Sequence, residues 1–217
     1  MLQYAGKKDL KCARETAEAL MKTVHWTSKD LEILPEDDGT RYEIIDGELY
    51  VSKQPHKHHQ LVCTRIWSIL QTWSIQADSG EAVVAPGLIF TDDNDVAPDV
   101  TWMSNERLAT TSQRDGKYHT APDLAVEVLS PGTTNEQRAR EFKLWLYSRR
   151  GVLEYWIVSW MERRVEIYRR DAAQLKLHST LYQNDTIQSP HLPGFTCQVS
   201  ELFYDISRKL PGTTQSQ

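Results

Sequence analysis

The sequence predicts a single α/β domain, and three patterns carry that reading. Strand-like and helix-like runs alternate along most of the chain. The run Leu124-Ala125-Val126-Glu127-Val128-Leu129 is almost wholly apolar, as a central strand covered on both faces must be. Two longer stretches, 58–74 and 135–150, repeat apolar residues at helical spacing. With 217 residues the chain can bury a core without covalent staples.

Residues 1–25 form a candidate helical arm. Within it, 8–24 carry Leu10, Ala13, Ala17, Leu20, Met21 and Val24 as one apolar stripe, which can pack on the domain or on a partner. The domain proper spans 26–207, and 208–217 read as a disordered tail. Thr27-Ser28-Lys29-Asp30 opens a short helix that ends at Pro35, and Glu36-Asp37-Asp38-Gly39 is a turn. Residues 42–51 read as two strands joined at Asp46-Gly47. The helix over 58–74 turns Leu61, Ile66, Ile69, Leu70 and Trp73 inward. Residues 81–90 are strand-like, broken by Pro86-Gly87; 92–95 are an acidic turn; 100–103 are a short strand directly after Pro98-Asp99. Residues 104–120 are loop-like with one helical turn. After the apolar strand, 130–134 break the chain. The helix over 135–150 then points Ala139, Phe142, Trp145, Leu146 and the stem of Arg149 at the sheet, with Gly151 closing it. Three strands, 154–160, 163–170 and 174–182, form a meander.

Composition excludes several classes. No apolar run approaches the length of a membrane span, and the N-terminus has no run of the kind a signal peptide needs. Cys12, Cys63 and Cys197 are odd in number and far apart, so they read as reduced thiols of a cytoplasmic protein. The net charge of −5 argues against non-specific gripping of nucleic acid. It leaves room for a local patch from Arg138, Arg140, Lys143, Arg149 and Arg150, or from Arg163, Arg164, Arg169 and Arg170. Each of these also reads as part of a solvated face. The tryptophans, Trp145 and Trp156 among them, read as core rather than as base-stacking platforms.

Glu127 is the anomaly. A carboxylate inside an apolar strand costs several kcal/mol unless it is paired, protonated or on a metal. Alternation puts Leu124, Val126 and Val128 on one face and Ala125, Glu127 and Leu129 on the other. Asp99 stands at the start of another strand, so the two acids can meet. Oxygen ligands of this kind suit Mg²⁺, which can orient a water and neutralise charge on a phosphate. Two facing acids repel without metal, so Asp99→Asn is expected to leave the metal-free fold intact or firmer. The competing readings are a buried salt bridge from Glu127 to Arg140 or Arg65, and a turn cap at Asp99. Lys143, on the flank of the 135–150 helix, can swing its ammonium toward the strand end or lie exposed. His56, His58 and His59 cluster at a helix start without the further ligands that zinc needs.

Tyr42-Glu43-Ile44-Ile45-Asp46-Gly47-Glu48-Leu49, His59-Gln60, Ala97-Pro98-Asp99-Val100, Glu127-Val128-Leu129-Ser130-Pro131, Lys143 with Tyr147, Gly151-Val152, Glu154-Tyr155-Trp156 and Leu192-Pro193-Gly194-Phe195 follow one another in a specific order. In that order the chain resembles the Uma2 family of restriction-endonuclease-like proteins over about residues 26–204, within the PD-(D/E)xK nuclease superfamily. The resemblance implies a restriction endonuclease-like core, a central mixed β-sheet flanked by helices. It also implies Mg²⁺ or Mn²⁺ as cofactor and hydrolysis of phosphodiester bonds. Asp99 then matches the acid of the first motif and Glu127 that of the second. The second motif normally continues to a lysine two residues on, where this chain has Leu129. Lys143 matches a lysine of the following helix and is the cation that the resemblance offers instead. Glu43 matches an early acid that can complete the cluster. His59 matches a histidine that can be a donor at the site edge, or a structural residue of the helix start. Ala139 and Ser159 stand where relatives show Asp.

The reading is a metal-dependent DNA endonuclease. Asp99, Glu127 and Lys143 form its centre, with Asp99, Glu127 and the carbonyl of Val128 as metal ligands and Glu43 and His59 as accessories. The alternative is a catalytically degenerate nuclease fold used to bind nucleic acid or protein, favoured by the missing lysine after Glu127. A third class, a structural dimer, would make the arm the important part. A homodimer is expected, because the arm's stripe needs cover and a duplex has two strands to cut.

Overall fold

A computed structural model describes residues 24–35, 40–111, 115–130, 132 and 136–204. Most of the arm, the 36–39 turn and the C-terminal tail lie outside the described residues.

Two strands open the domain, β1 (Arg41–Ile45) and β2 (Glu48–Ser52), paired antiparallel. Asp46 and Gly47 turn between them with φ of 51° and 75°, the left-handed pair that a two-residue hairpin needs. Before them, helix α1 (Ser28–Leu31) is capped reciprocally by Thr27 and Asp30. Helix α2 (Lys57–Ala77) follows, started by the ring of His56, which accepts from the His58 N–H, and ended by Asp78 in a left-handed cap. Its buried stripe is His59, Val62, Cys63, Ile66, Leu70 and Ser74. Leu61, expected inside, is exposed, because Val62 and Cys63 take the inward phase.

The principal sheet has six strands in the order β10-β9-β8-β7-β6-β3. They are β3 (Gly80–Val84), β6 (Val100–Ser104), β7 (Leu124–Val128), β8 (Glu154–Ser159), β9 (Arg164–Asp171) and β10 (Gln174–Tyr182). Only β7 and β8 pair in parallel, so the sheet is mixed. β7 and β8 are buried along their whole length, which explains their continuous apolar runs. A smaller sheet joins β2 and β1 to β5 (Asn94–Val96) and β4 (Leu88–Thr91). The expected four-residue acidic turn is therefore shorter. Asn94 and Asp95 belong to β5 and are buried, and the Asn94 amide is held by Thr91, Asp93 and Asp46. Helix α3 (Asn105–Leu108) is the single helical turn expected in 104–120.

Each face of the six-stranded sheet is covered. On one, Leu124, Val126, Val128, Trp156 and Val158 pack with Val62, Ile66 and Leu70 of α2. Ile187, Leu192 and Phe195 join them from the hairpin of β11 (Thr186–Ser189) and β12 (Leu192–Gln198), which pattern reading did not resolve. Helix α5 (Val199–Leu202) closes that face. On the other face, Ala125, Leu129, Tyr155 and Ile157 meet Ala139, Leu146 and Tyr147. Those three come from a helix whose first part, Arg138–Lys143, is π-helical and whose second part is α4 (Leu144–Arg150). The inward stripe differs from the expected one. Ala139, Lys143, Leu146 and Tyr147 are buried, while Phe142 is 37% and Trp145 41% exposed. Apolarity alone put Lys143 on the flank; a buried carboxylate beneath the helix selects the phase that brings a lysine and a tyrosine to it. Trp145 is thus not core: its ring lies under the Arg149 guanidinium at 4.6 Å. Trp156 is core.

The arginine stretches are not simply solvated. Arg140 is held by Glu136 and Glu166, Arg164 by Glu162 and Glu166, and Arg169 by Glu154. Arg170 donates to the carbonyls of Tyr147 and Ser148 at the end of α4. Among the described residues no helix is long and apolar enough to cross a membrane.

Candidate active site

The mixed sheet gives the site its form. Val100 pairs with Val126, so one residue further in the same register Asp99 comes beside Glu127. Glu127 points to the face covered by the π-helical turn and α4. There Lys143 Nζ donates to Glu127 Oε1 at 2.8 Å, and the Tyr147 hydroxyl donates to the same oxygen at 3.1 Å. Lys143 Nζ also lies 2.8 Å from Glu43 Oε1. Glu43 is fixed in turn by the Ala97 N–H at 2.9 Å and faces Arg138 at 3.7 Å. Glu43, Glu127, Lys143 and Tyr147 are all buried. The π-helical turn ends on Lys143; such wide turns recur at functional sites.

Asp99 is held from three sides. Its Oδ2 accepts from the Val128 N–H at 2.8 Å and from His59 Nε2 at 3.1 Å, and its Oδ1 accepts from Arg41 Nη1 at 3.1 Å. His59 Nδ1 in turn lies 3.5 Å from Cys63 Sγ. His59, Cys63 and Asp99 could in composition ligate a metal. In the metal-free chain the imidazole stands between the other two, one nitrogen toward each, and burial pushes the Cys63 thiol far up. The three form a hydrogen-bonded chain.

The charges divide unequally. Burial pushes Glu127 up to about 7, with Asp99 and Glu43 adding to the rise and Lys143 opposing it. Burial acts on Asp99 too, but the hydrogen bond and charge of His59 and the Arg41 guanidinium outweigh it and hold Asp99 well below the usual range. Glu43 is likewise held low, against burial, by Lys143, Arg41 and Arg138. Tyr147 is pushed well up by burial and by the charge of Glu127, so it stays a donor. Glu43, His59, Asp99, Glu127 and Lys143 line an open cavity of about 360 Å³ with Arg41, Arg138, Val128, Ser130, Lys53 and His56, and Tyr147 stands behind its wall, bonded to Glu127.

The structure thus brings Glu43, His59, Asp99, Glu127, Val128 and Lys143 around one cavity. The expected salt bridge of Glu127 to Arg140 or Arg65 is replaced by Lys143, since Arg140 turns to Glu166 and Arg65 to the Leu202 carbonyl. The expectation that Asp99→Asn leaves the metal-free fold intact or firmer assumed acids without partners, whereas Asp99 is paired with Arg41 and His59. Ionised Asp99 is stabilised by Arg41 and His59, so neutralising it leaves both without their anion. Ala139 faces the cavity but offers no side-chain oxygen. Ser159 is buried and accepts from the Glu162 N–H. His56 and His58 lie outside the acidic cluster and pack on Trp160 at 5.2 and 5.1 Å. Pattern reading missed Arg41 and Tyr147. Arg41 was findable: alternation along β1 places it on the same face as Glu43. Arg41 Nη2 is buried without a hydrogen-bond partner among the described residues.

The donor set fits a hard divalent cation. It consists of carboxylate oxygens and a backbone carbonyl, and burial with the neighbouring acids disfavours the Glu127 charge, which an adjacent cation would favour.

The sequence profile of the Uma2 family, described as "Putative restriction endonuclease", matches residues 28–200. A Synechocystis protein described as "Uncharacterized protein slr1290" is 24% identical over 135 residues, covering 60% of this chain and 67% of that one. A crystal structure from Anabaena variabilis, described as a "putative nuclease belonging to DUF820", superposes with a TM-score of 0.64 at 18% identity, over 82% of this chain and 97% of that one. The restriction endonuclease-like fold is therefore shared. The type IIG restriction endonuclease BpuSI aligns at a TM-score of 0.36 and 14% identity over 65% of this chain and 15% of its own, and carries no weight here.

Proposed function

We propose, from the premise that this chain belongs to the Uma2 family, that it is a metal-dependent endonuclease hydrolysing phosphodiester bonds in DNA. The observation that carries the reading is Lys143 Nζ at 2.8 Å from both Glu43 and Glu127, on the wall of a cavity that Asp99 also lines.

Asp99, Glu127 and the carbonyl of Val128 would hold Mg²⁺ or Mn²⁺. When bound, the cation supplies a lowered water pKa and neutralises charge on the phosphate. The remaining work falls to side chains. Lys143 holds Glu127 in place and presents a compact positive charge to the oxygen that gains charge as the bond breaks. Tyr147 fixes the same carboxylate oxygen, and His59 and Arg41 fix Asp99. Without metal, Glu43, Asp99 and Glu127 face Arg41, Arg138 and Lys143, so the cluster is close to neutral. A bound divalent cation leaves it positive, which suits an entering phosphodiester. Cutting both strands of a duplex calls for two such centres, which a two-fold pair of chains supplies.

A second reading has its own support. Every carboxylate in the cluster is already paired within the chain, and Leu129 holds the place of the motif's lysine, as in a nuclease fold kept for binding alone. Cleavage of supercoiled, linear and single-stranded DNA with Mg²⁺ and with Mn²⁺ separates the two. The endonuclease reading expects metal-dependent cutting that Glu127→Gln abolishes. Metal-dependent binding of DNA without cutting, on every substrate, would establish the second.

A further inference from the structure

Outside the acidic cavity, a hollow of about 290 Å³ lies where the β1–β2 hairpin meets the π-helical turn. Its floor is Ile45, Tyr50, Phe142 and Trp145, and Asp46 and Glu48 stand on its rim. The Tyr50 and Phe142 rings lie 5.6 Å apart. Two large aromatic side chains this exposed, on neighbouring elements, mark a surface that expects cover.

The chain itself enters at this rim. The Trp26 N–H donates to the Gly47 carbonyl at 2.8 Å, and Gly47 belongs to the turn of the hairpin that bears the groove. The His25 ring lies over Gly47 so closely that a Cβ there would come within 2.1 Å of His25 Nδ1. Residues 1–23 therefore join the domain beside the groove. Their sequence spacing gives a stripe of Leu10, Ala13, Ala17, Leu20 and Met21, and a helix over 8–23 would be about 24 Å long; Val24, outside any helix and 68% exposed, ends the stripe. Leu20 and Met21 stand within about two helical turns of the anchored His25 and Trp26. Residues 1–24 hold five basic residues, Lys7, Lys8, Lys11, Arg14 and Lys22, against three acidic ones. Asp46 and Glu48 make the hairpin side of the groove acidic, and Arg149 stands over Trp145 on the helix side.

We propose that the groove is the seat of segment 8–23 of the same chain, with Leu20 and Met21 against Phe142 and Trp145 and the basic flank toward Asp46 and Glu48. The proposal goes beyond the nuclease reading and does not depend on it. It has one consequence for the site: Phe142 lies in the π-helical turn that holds Lys143 on its inner side, so the seated arm closes the outer side of that turn.

Hydrogen exchange of the full chain, read by mass spectrometry, tests this without an activity assay. Amides of 10–23 are expected to exchange about tenfold or more slower than in an unstructured peptide, unchanged on dilution. Leu20→Asp, which leaves the folded domain untouched, releases them and also speeds exchange at 138–145. Trp145→Ser releases the arm from the other side. Arm amides that exchange freely in the wild type, or that stay equally protected in Leu20→Asp, overturn the proposal. Protection that disappears on dilution also overturns it, since the arm would then occupy the groove of a second copy.

Discussion

Lys143 Nζ sits 2.8 Å from Glu127 Oε1, sixteen residues away in sequence, with both side chains buried. The pair is formed because the helix after β7 folds back over its own strand, and Glu43 makes it a triad from across the small sheet. Removing the cation leaves two carboxylates in an apolar setting. Lys143→Ala is therefore expected to cost about 3–5 kcal/mol in metal-free buffer. Mg²⁺ should recover part of that loss, because the ligands remain. Urea unfolding with EDTA and with Mg²⁺ measures both. Cleavage should be lost in the same variant, and Lys143→Arg should not restore it fully, since a planar fork does not replace a point charge. Wild-type cleavage by Lys143→Ala would remove Lys143 from the chemistry.

The metal reading makes a separable claim. A cation that binds only the folded chain raises its melting temperature by mass action. Mn²⁺ or Mg²⁺ should raise it in the wild type and not in Asp99→Asn. In EDTA the same variant should be less stable by about 1–3 kcal/mol, because Arg41 and His59 lose the anion they share. Equal metal-induced shifts in both proteins would count against the site.

How much of this was legible beforehand differs by residue. Glu127 announced itself as a charge in an apolar strand, and β7 and β8 as strands buried on both faces, because burial writes itself into residue type. Asp99 was placed by the proline before it and the strand after it. Lys143 was named but put on the wrong part of its helix, since pattern reading sends charges outward and cannot see the acid they serve. The β11–β12 hairpin escaped because Pro193 and Gly194 look like breakers until their strand is found in a two-stranded sheet, paired on one edge alone. Arg41 carried one local signal, its place on the Glu43 face of β1, and Tyr147 carried none; the roles of both exist only once three separate segments meet.

The titration of the site sets a pH window for the metal-free chain. Glu127 is raised from 4.5 to about 7, so between those values the folded state holds a proton that the unfolded state has released. Stability therefore falls as pH rises through that interval, by on the order of 3 kcal/mol. Asp99 and Glu43 are lowered, so the stability they give is present above the ordinary carboxylate range and is lost as pH falls below it. In EDTA the melting temperature should peak near mildly acidic pH. Glu127→Gln should flatten the descent toward neutrality and leave the acid side unchanged. A descent that persists in Glu127→Gln would assign it to another group.

Arg41 gives the last prediction. Its side chain is one-third exposed, lines the cavity and spends Nη1 on Asp99, while Nη2 is left without a partner among the described residues. A buried N–H without an acceptor costs about 1–3 kcal/mol, so the guanidinium gains by an anion that enters beside it. The fork geometry of Arg lets one nitrogen hold Asp99 while the other meets a phosphate oxygen. Arg41→Ala should therefore act twice. The Asp99 carboxylate loses a cation, so the acid limb of the stability profile moves to higher pH. DNA binding in EDTA should weaken alike for all sequences, and the slope of log K against log salt should shrink by about one, the mark of one lost phosphate contact. Arg41→Lys should leave the acid limb largely in place but still lose most of the salt-slope contribution, because a single ammonium cannot serve both anions at once. If Arg41→Ala shifts the acid limb but leaves the salt slope unchanged, Arg41 only positions Asp99, and the phosphate is met by other cations of the cavity wall, Lys53 or Arg138.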